Sequence, residues 1–225
     1  MSIILSGDTH GLLDISKVTG YFSTHQNYTQ NDYLIILGDT GLLWDGGTHD
    51  AEVQCVLESL PATVLWLDGN HENFDLLDDY PVDTWHGGKA QFITDKIIHL
   101  CRGQIFDIDG KFIFTFGGGR SIDKECRTEG RSWWPQEMPS LKEYVDGLDN
   151  LEHNGWHVDY IMTHTCPKSV ARQLVPYLEP GEEPLQKYFD RIAEDTNFKA
   201  WYFGHWHMEK TIGKFHGLYD EIVEL

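Results

Sequence analysis

Asp8, His10, Asp39, Asn70, His164, His205 and His207 are carboxylates, imidazoles and one carboxamide, each placed just after a short apolar run. Donors of this kind suit Mn, Fe or Zn better than soft Cu(I). Asp8/His10 and His205/His207 are spaced i, i+2. In an extended segment that spacing puts both side chains on one face, so each pair could grip one ion, with Thr9 and Trp206 pointing away. A carboxylate has two oxygens, so a single Asp could bridge two ions. Two ions about 3.5–4 Å apart can share a water, lower its pKa toward 7 and turn it into a nucleophile.

These residues need a frame that gathers them. Met1–Ser6 leads into Gly7-Asp8-Thr9-His10, Tyr33–Leu37 into Gly38-Asp39, and Ala62–Leu67 into Gly69-Asn70-His71-Glu72. Tyr160–Thr163 leads to His164, and Ala200–Phe203 to Gly204-His205-Trp206-His207. Short continuous apolar runs bounded by Gly and polar residues read as strands buried on both faces. Open α/β sheets bind ligands beyond the carboxyl ends of their strands. If these strands are neighbours, their loops converge.

The order D-x-H, G-D, G-N-H-E, H, G-H-x-H resembles the signature of the calcineurin-like metallophosphoesterase superfamily, from Asp8 to His207. That resemblance implies an α/β fold, a four-layer α-β-β-α sandwich of two mixed sheets. It implies a dinuclear centre: Asp8, His10, Asp39 and His207 on the first metal, and Asp39 as bridge with Asn70, His164 and His205 on the second. His71 corresponds to the family's catalytic histidine, beside the metals, and Glu72 is expected to orient its neighbours through hydrogen bonds. The implied activity is hydrolysis of phosphomonoesters or small phosphodiesters, with two Mn, Fe or Zn ions. The phosphoprotein phosphatases of the superfamily carry G-D-x-x-D-R-G, whereas this chain has Leu42 in place of the second Asp and lacks the Arg. A serine/threonine protein phosphatase is therefore an alternative only, and the group that orients His71 is open, with Asp45 or Asp68 as replacements. A non-catalytic scaffold, such as the retromer subunit that resembles the superfamily, should have lost ligands, and none is missing.

Seventeen basic residues against 36 acidic give a net charge of −19 over 225 residues. Such a surface repels nucleic-acid backbones and argues against broad nucleic-acid binding or a nuclease. Locally the balance reverses: two divalent ions carry about +4 and Asp8 and Asp39 return about −2, a positive focus for a phosphoryl group. A small phosphoester is the expected substrate. Cys55, Cys101, Cys126 and Cys166 lie far apart without a C-x-x-C and read as reduced thiols. With the first strand at Met1 there is no room for a leader before Asp8, and no run approaches membrane-spanning length, so the expected location is cytoplasmic.

Residues 1–225 read as a single domain, with an irregular insertion at about 117–139 that is rich in Gly, charge and Trp. A stretch of this length without its own structure is usually functional or mobile. Within it Arg120 is the candidate phosphate-gripping residue, since it ends a strand and a Gly run; Arg127 and Arg131 are weaker candidates. Trp133-Trp134 reads as packing. Helices are expected from Leu12 to Phe22, over Asp50–Leu60, from a Ser140/Glu143 capping box to Gly155, over Ser169–Tyr177 broken at Pro176, and around Leu185–Ala193. Phe106–Ile108 and Lys111–Phe116 flank Asp109-Gly110 as a type I′ hairpin, and closing strands are expected in Met208–Leu225.

Overall fold

The computed structural model describes residues 1–225. Its elements in chain order are β1 (Ile3–Ser6), α1 (Ser16–Thr24), β2 (Tyr33–Ile36), α2 (Thr48–Ser59), β3 (Thr63–Trp66), α3 (Phe74–Leu77) and β4 (Val82–Trp85). There follow β5 (Gly88–Phe92), β6 (Ile97–Leu100), β7 (Gln104–Ile108), β8 (Lys111–Phe116), α4 (Leu141–His153) and β9 (Tyr160–Thr163). The last are α5 (Lys168–Leu174), α6 (Glu183–Asp195), β10 (Ala200–Phe203), β11 (Lys210–Ile212), β12 (Phe215–Gly217) and β13 (Ile222–Glu224).

The strands form two mixed sheets, β13-β1-β2-β3-β6-β5-β4 and β11-β12-β10-β9-β8-β7. Strands β1, β2, β3 and β6 run parallel in the first, and β8, β9, β10 and β12 in the second; the edge strands are antiparallel. Period-two alternation sends each strand's side chains to opposite faces, and this sets the layers. Ile3, Leu5, Ile35 and Leu65 meet Phe106, Ile113, Met162 and Tyr202 between the sheets. Ile4, Leu34, Ile36, Val64 and Trp66 face the other way, onto Val18 and Phe22 of α1 and Val53 and Leu57 of α2. On the far side, Phe114, Phe116, Ile161, Trp201 and Phe203 receive Leu151, Val170, Leu185, Phe189 and Ile192 of α4, α5 and α6. The order is helices, sheet, sheet, helices, as the resemblance implies.

The five expected strands are present, shortened by one or two residues at some ends. The capping box of α4 forms on both sides, and Gly155 follows with φ of 66°. Asp109 and Gly110 both take positive φ, 56° and 72°, as a type I′ turn requires. Helix α5 ends at Leu174, ahead of Pro176, because the residue before proline is driven out of the α region. Two differences have local causes. The first helix begins at Ser16 rather than Leu12, because His10 and Gly11 sit at φ of 43° and 60° and the chain must turn before it can coil. Strands β4, β5 and β6 are not expected from the sequence: in the first two, polar residues interrupt any apolar run, and only Ile97–Leu100 is buried throughout. No helix is long and apolar enough to cross a membrane.

Candidate active site

The loops after β1, β2, β3, β9 and β10 carry the seven ligand candidates, and the parallel strands bring them to one end of the two sheets. Their backbone is bent rather than extended. His10, Asp39, His205 and His207 have φ of 43°, 48°, 66° and 48°, a region uncommon for residues with a Cβ and one that clusters at functional sites. The expectation that each i, i+2 pair lies on one extended face is therefore corrected. His205 and His207 part company: His207 Nε2 lies 3.1 Å from Asp8 Oδ2, whereas His205 Nδ1 lies 3.2 Å from His164 Nε2.

Asp39 stands between the two groups. Its Oδ2 is 3.5 Å from His10 Nε2 and its Oδ1 is 3.5 Å from His164 Nε2. The His71 N–H donates to the same Oδ1 at 2.8 Å. A Cβ on Gly69 would stand 2.0 Å from Asp39 Oδ1, so only glycine lets the third loop close over this carboxylate. Burial pushes the Asp39 carboxyl up, but His164, His10 and His71 outweigh it and hold it well below the usual range. Asp8 is fully buried and accepts from the His205 N–H at 2.9 Å. Its carboxyl is likewise held low, with His207 and His164 outweighing the effect of burial.

The hydrogen-bond partners settle which ring atoms face inward. His164 Nδ1 lies 2.8 Å from the Leu37 carbonyl and must donate to it, which leaves a lone pair on Nε2. That Nε2 faces Asn70 Oδ1 at 3.2 Å, His205 Nδ1 and Asp39 Oδ1. Asn70 is turned this way because its amide donates to Ser121 Oγ at 3.3 Å. His205 presents its other nitrogen, Nε2, to Glu182 Oε1 at 3.1 Å, and His10 presents Nδ1 to Asp14 Oδ2 at 2.8 Å. These three imidazoles are thus each backed by an acceptor and aim the second nitrogen at the centre, the arrangement by which metal-bound histidines are oriented. Carboxylate, amide oxygen and ring lone pairs converge with at most one proton between the two facing imidazoles, so the donor set fits cations. Burial alone would lower the pKa of His10 and His205. Asp39 and Asp14 raise His10 to about 9, and Glu182 raises His205 to about 9. A positive charge is favoured at both places, and a metal ion can supply it.

Asp8, His10 and His207 form one compact group of possible ligand atoms, and Asp8, Asp39 and His164 another. In the second group His164 approaches Asp8 only through Nδ1, at 3.9 Å, and that atom is committed to Leu37. Asp39 is therefore the better placed of the two carboxylates to join the halves.

His71 lies beside this cluster, its ring centroid 5.7 Å from that of His10. Neither Asp45 nor Asp68 orients it. Asp45 accepts from the Gly47 N–H, and Asp68 is buried against Arg102 and His99. Instead the Arg127 guanidinium faces the His71 ring, with Nη1 3.3 Å from Nδ1 and Nη2 3.3 Å from Nε2. Asp123 Oδ1 holds Arg127 Nε at 2.7 Å, and the Ser132 carbonyl accepts from Nη1 at 3.2 Å. Burial lowers the His71 pKa; Asp39 opposes this and Arg127 reinforces it, and the net shift is downward. Glu72 is buried and accepts from the Thr40 N–H (2.8 Å) and hydroxyl (3.1 Å), tying the second loop to the third. Its carboxyl is raised well above the usual range, chiefly by burial.

Arg120 lines the same cavity of about 570 Å³ as Asp39, Asn70, His71 and Arg127. Its guanidinium lies on Gly181, where a Cβ would stand 1.9 Å from Nη1. Its N–H donates to Glu182 Oε1 at 3.1 Å, and its Nε is buried without a partner. Trp134 is buried and donates to Asp75 at 2.8 Å, the packing role expected of it. Cys166 is buried in the core beside the site. Sequence reasoning missed Asp14, Glu182 and Gly181. Asp14 lies four residues after His10, a spacing that does signal a contact across one turn; nothing local marks Glu182 as a partner of His205.

Comparison with known proteins agrees with this frame. Residues 1–209 match the family model for calcineurin-like phosphoesterases. No curated protein matches the sequence significantly. The crystal structure of phosphopantetheinyl hydrolase from Mycobacterium tuberculosis is similar in fold, with a TM-score of 0.51 and 18% identity over 97% of this chain and 90% of that one. The chain belongs to the calcineurin-like phosphoesterase family and is a hydrolase acting on phosphoester bonds.

Proposed function

We propose that residues 1–225 act as one unit that hydrolyses phosphomonoesters or small phosphodiesters with two transition-metal ions, Mn, Fe or Zn. The observation that carries this reading is Asp39, which turns one oxygen to His10 and the other to His164. Asp8, His10, Asp39 and His207 would hold the first ion, and Asp39, Asn70, His164 and His205 the second. When bound, the ions supply a water acidic enough to attack phosphorus and positive charge for the phosphoryl oxygens.

The chain's own residues supply the rest. Asp14 and Glu182 keep the His10 and His205 rings turned inward. Arg120 and Arg127 offer guanidinium groups to the equatorial oxygens, where charge spreads in the transition state. His71, held against Arg127, stands where it can exchange a proton with the leaving oxygen. The acidic surface favours a small substrate over a nucleic acid. A cytoplasmic setting accords with four unpaired cysteines.

The test is metal analysis with a hydrolysis panel in added Mn: p-nitrophenyl phosphate, its bis-ester, cyclic nucleotides, a phosphopeptide and single-stranded DNA. The expected result is two ions per chain and turnover of the small esters. Failure to bind metal would favour a scaffold, and turnover confined to DNA or phosphopeptide would favour the nuclease or protein phosphatase.

A further inference from the structure

Part of the lining of the catalytic cavity is not used by the reaction centre. Besides Asn70 and His71 the lining includes Ile122, Val175, Tyr177, Trp206 and Met208. These come from three separate segments: the irregular 117–139 stretch, the turn after α5, and the loop after β10. Ile122 is 73% exposed and Tyr177 68% exposed. Large apolar side chains left in water singly are ordinary, but several from separate loops facing one cavity mark a binding surface. Trp206 joins this surface to the metal ligands, since it lies between His205 and His207 and its ring centroid is 5.7 Å from that of His205.

Charge narrows what can lie there. The two arginines of the cavity are assigned to the phosphoryl group in the reading above, the Arg120 guanidinium lying on Gly181, and Asp123 is already paired with Arg127. Glu179 adds a carboxylate on the same segment as Val175 and Tyr177. An anionic leaving group, such as a second phosphate, would be repelled by that carboxylate. An uncharged carbon skeleton meets no such cost and gains from covering the exposed side chains.

We infer that this shelf binds the leaving group, and that the substrate is the phosphoester of an uncharged, largely apolar alcohol whose carbon skeleton covers Ile122, Tyr177 and Trp206. The inference rests on the phosphoesterase reading above. It separates two jobs within one cavity. The metal end with Arg120 and Arg127 recognises the phosphoryl group, which every phosphoester has. The shelf recognises what is esterified to it.

The experiment compares 2-phenylethyl phosphate with ethyl phosphate, each also as its methyl diester, on the Mn-loaded full chain. The two leaving alcohols are of near-equal acidity, so the ratio of their kcat/KM values reports contact with the carbon skeleton and not leaving-group chemistry. Apolar pockets discriminate by about tenfold or more per well-seated group, and a preference of about tenfold for the phenylethyl ester is expected. Ile122→Ser and Tyr177→Ser alter exposed positions and should each cut that ratio severalfold, and together bring it near one. Binding of 2-phenylethylphosphonate against ethylphosphonate, read by calorimetry, should show the same order. A wild-type ratio near one, or a ratio unmoved by both substitutions, would overturn the shelf and leave the phosphoesterase reading standing. No turnover of any of the four esters by metal-loaded protein would overturn both.

Discussion

Glu182 Oε1 lies 3.1 Å from His205 Nε2, on the side of the imidazole turned away from His164. The same carboxylate accepts the Arg120 N–H, a Gln186 amide proton and the Thr165 hydroxyl. It fixes the ring proposed for the second metal and the backbone of the residue proposed to face the phosphate. Glu182→Gln preserves volume but removes the charge behind the ring. Partners of this kind contribute about 10–100-fold to metal affinity. Titration of the apo protein with Mn should show one of two sites weakened by about that factor, with the other unchanged. Equal weakening of both sites, or of neither, would contradict the assignment of His205.

The His71 ring faces Arg127, and it is the backbone N–H, not the ring, that bonds Asp39, so removal of the ring should separate binding from turnover. His71→Ala should keep two ions per chain by elemental analysis and lose about 10²–10⁴ in kcat, the range of a lost proton-transfer group. Loss of metal along with activity would make His71 a ligand.

Gly181 leaves the space that the Arg120 guanidinium fills. Gly181→Ala should push that flexible side chain aside with little change in melting temperature. A charged hydrogen bond is worth about 1.5–3 kcal/mol, so KM for a phosphomonoester should rise about tenfold or more, as it should in Arg120→Ala. An unchanged KM in both would remove Arg120 from the phosphate site and leave Arg127 alone there.

Asp68 is buried with Arg102 and His99, and Gly118 N–H donates to its carbonyl at 2.8 Å, so this pair anchors the turn that delivers Arg120. Burial raises the Asp68 carboxyl, but Arg102 and His99 overcome it and hold it well below the usual range. The folded value lies below the unfolded one, about 3.9. The pair's stabilisation is therefore present above that pH and lost as pH falls through the folded value. Arg102→Met leaves a buried carboxyl short of its cation and should cost about 3–5 kcal/mol at pH 7 by urea unfolding. The deficit should shrink as pH is lowered toward 4, where the stranded carboxyl takes up a proton. A pH-independent deficit would mean that lost packing, not charge, is the cause.

How far the sequence could be read depends on how local each signal is. The strands that end at Asp8, Asp39, Asn70, His164 and His205 announce themselves as buried apolar runs, and the motif spacing named all seven ligand candidates. The capping box of α4 was legible because Ser140 and Glu143 lie within one turn. Strands β4 and β5 were not, since neither contains an apolar run and they are held by pairing, β4 on β5 and β5 on β6. The conformation of His10, His205 and His207 was misread as extended, because left-handed backbone at histidine has no sequence signature. The groups that support the ligands were the least visible. Glu182 reaches His205 from another segment, and Arg127 supplies the contact to His71 that the sequence leaves open between Asp45 and Asp68.

Asp39 is where the account can be tested most directly. Crystals grown with Mn, with data collected at the Mn absorption edge, should give two anomalous peaks about 3.5–4 Å apart. One should lie between Asp39 Oδ2 and His10, the other between Asp39 Oδ1 and His164. Asp39→Asn should lose at least one of them together with turnover. A single peak, two peaks that do not share Asp39, or a fully active Asp39→Asn protein would contradict a dinuclear centre at this place.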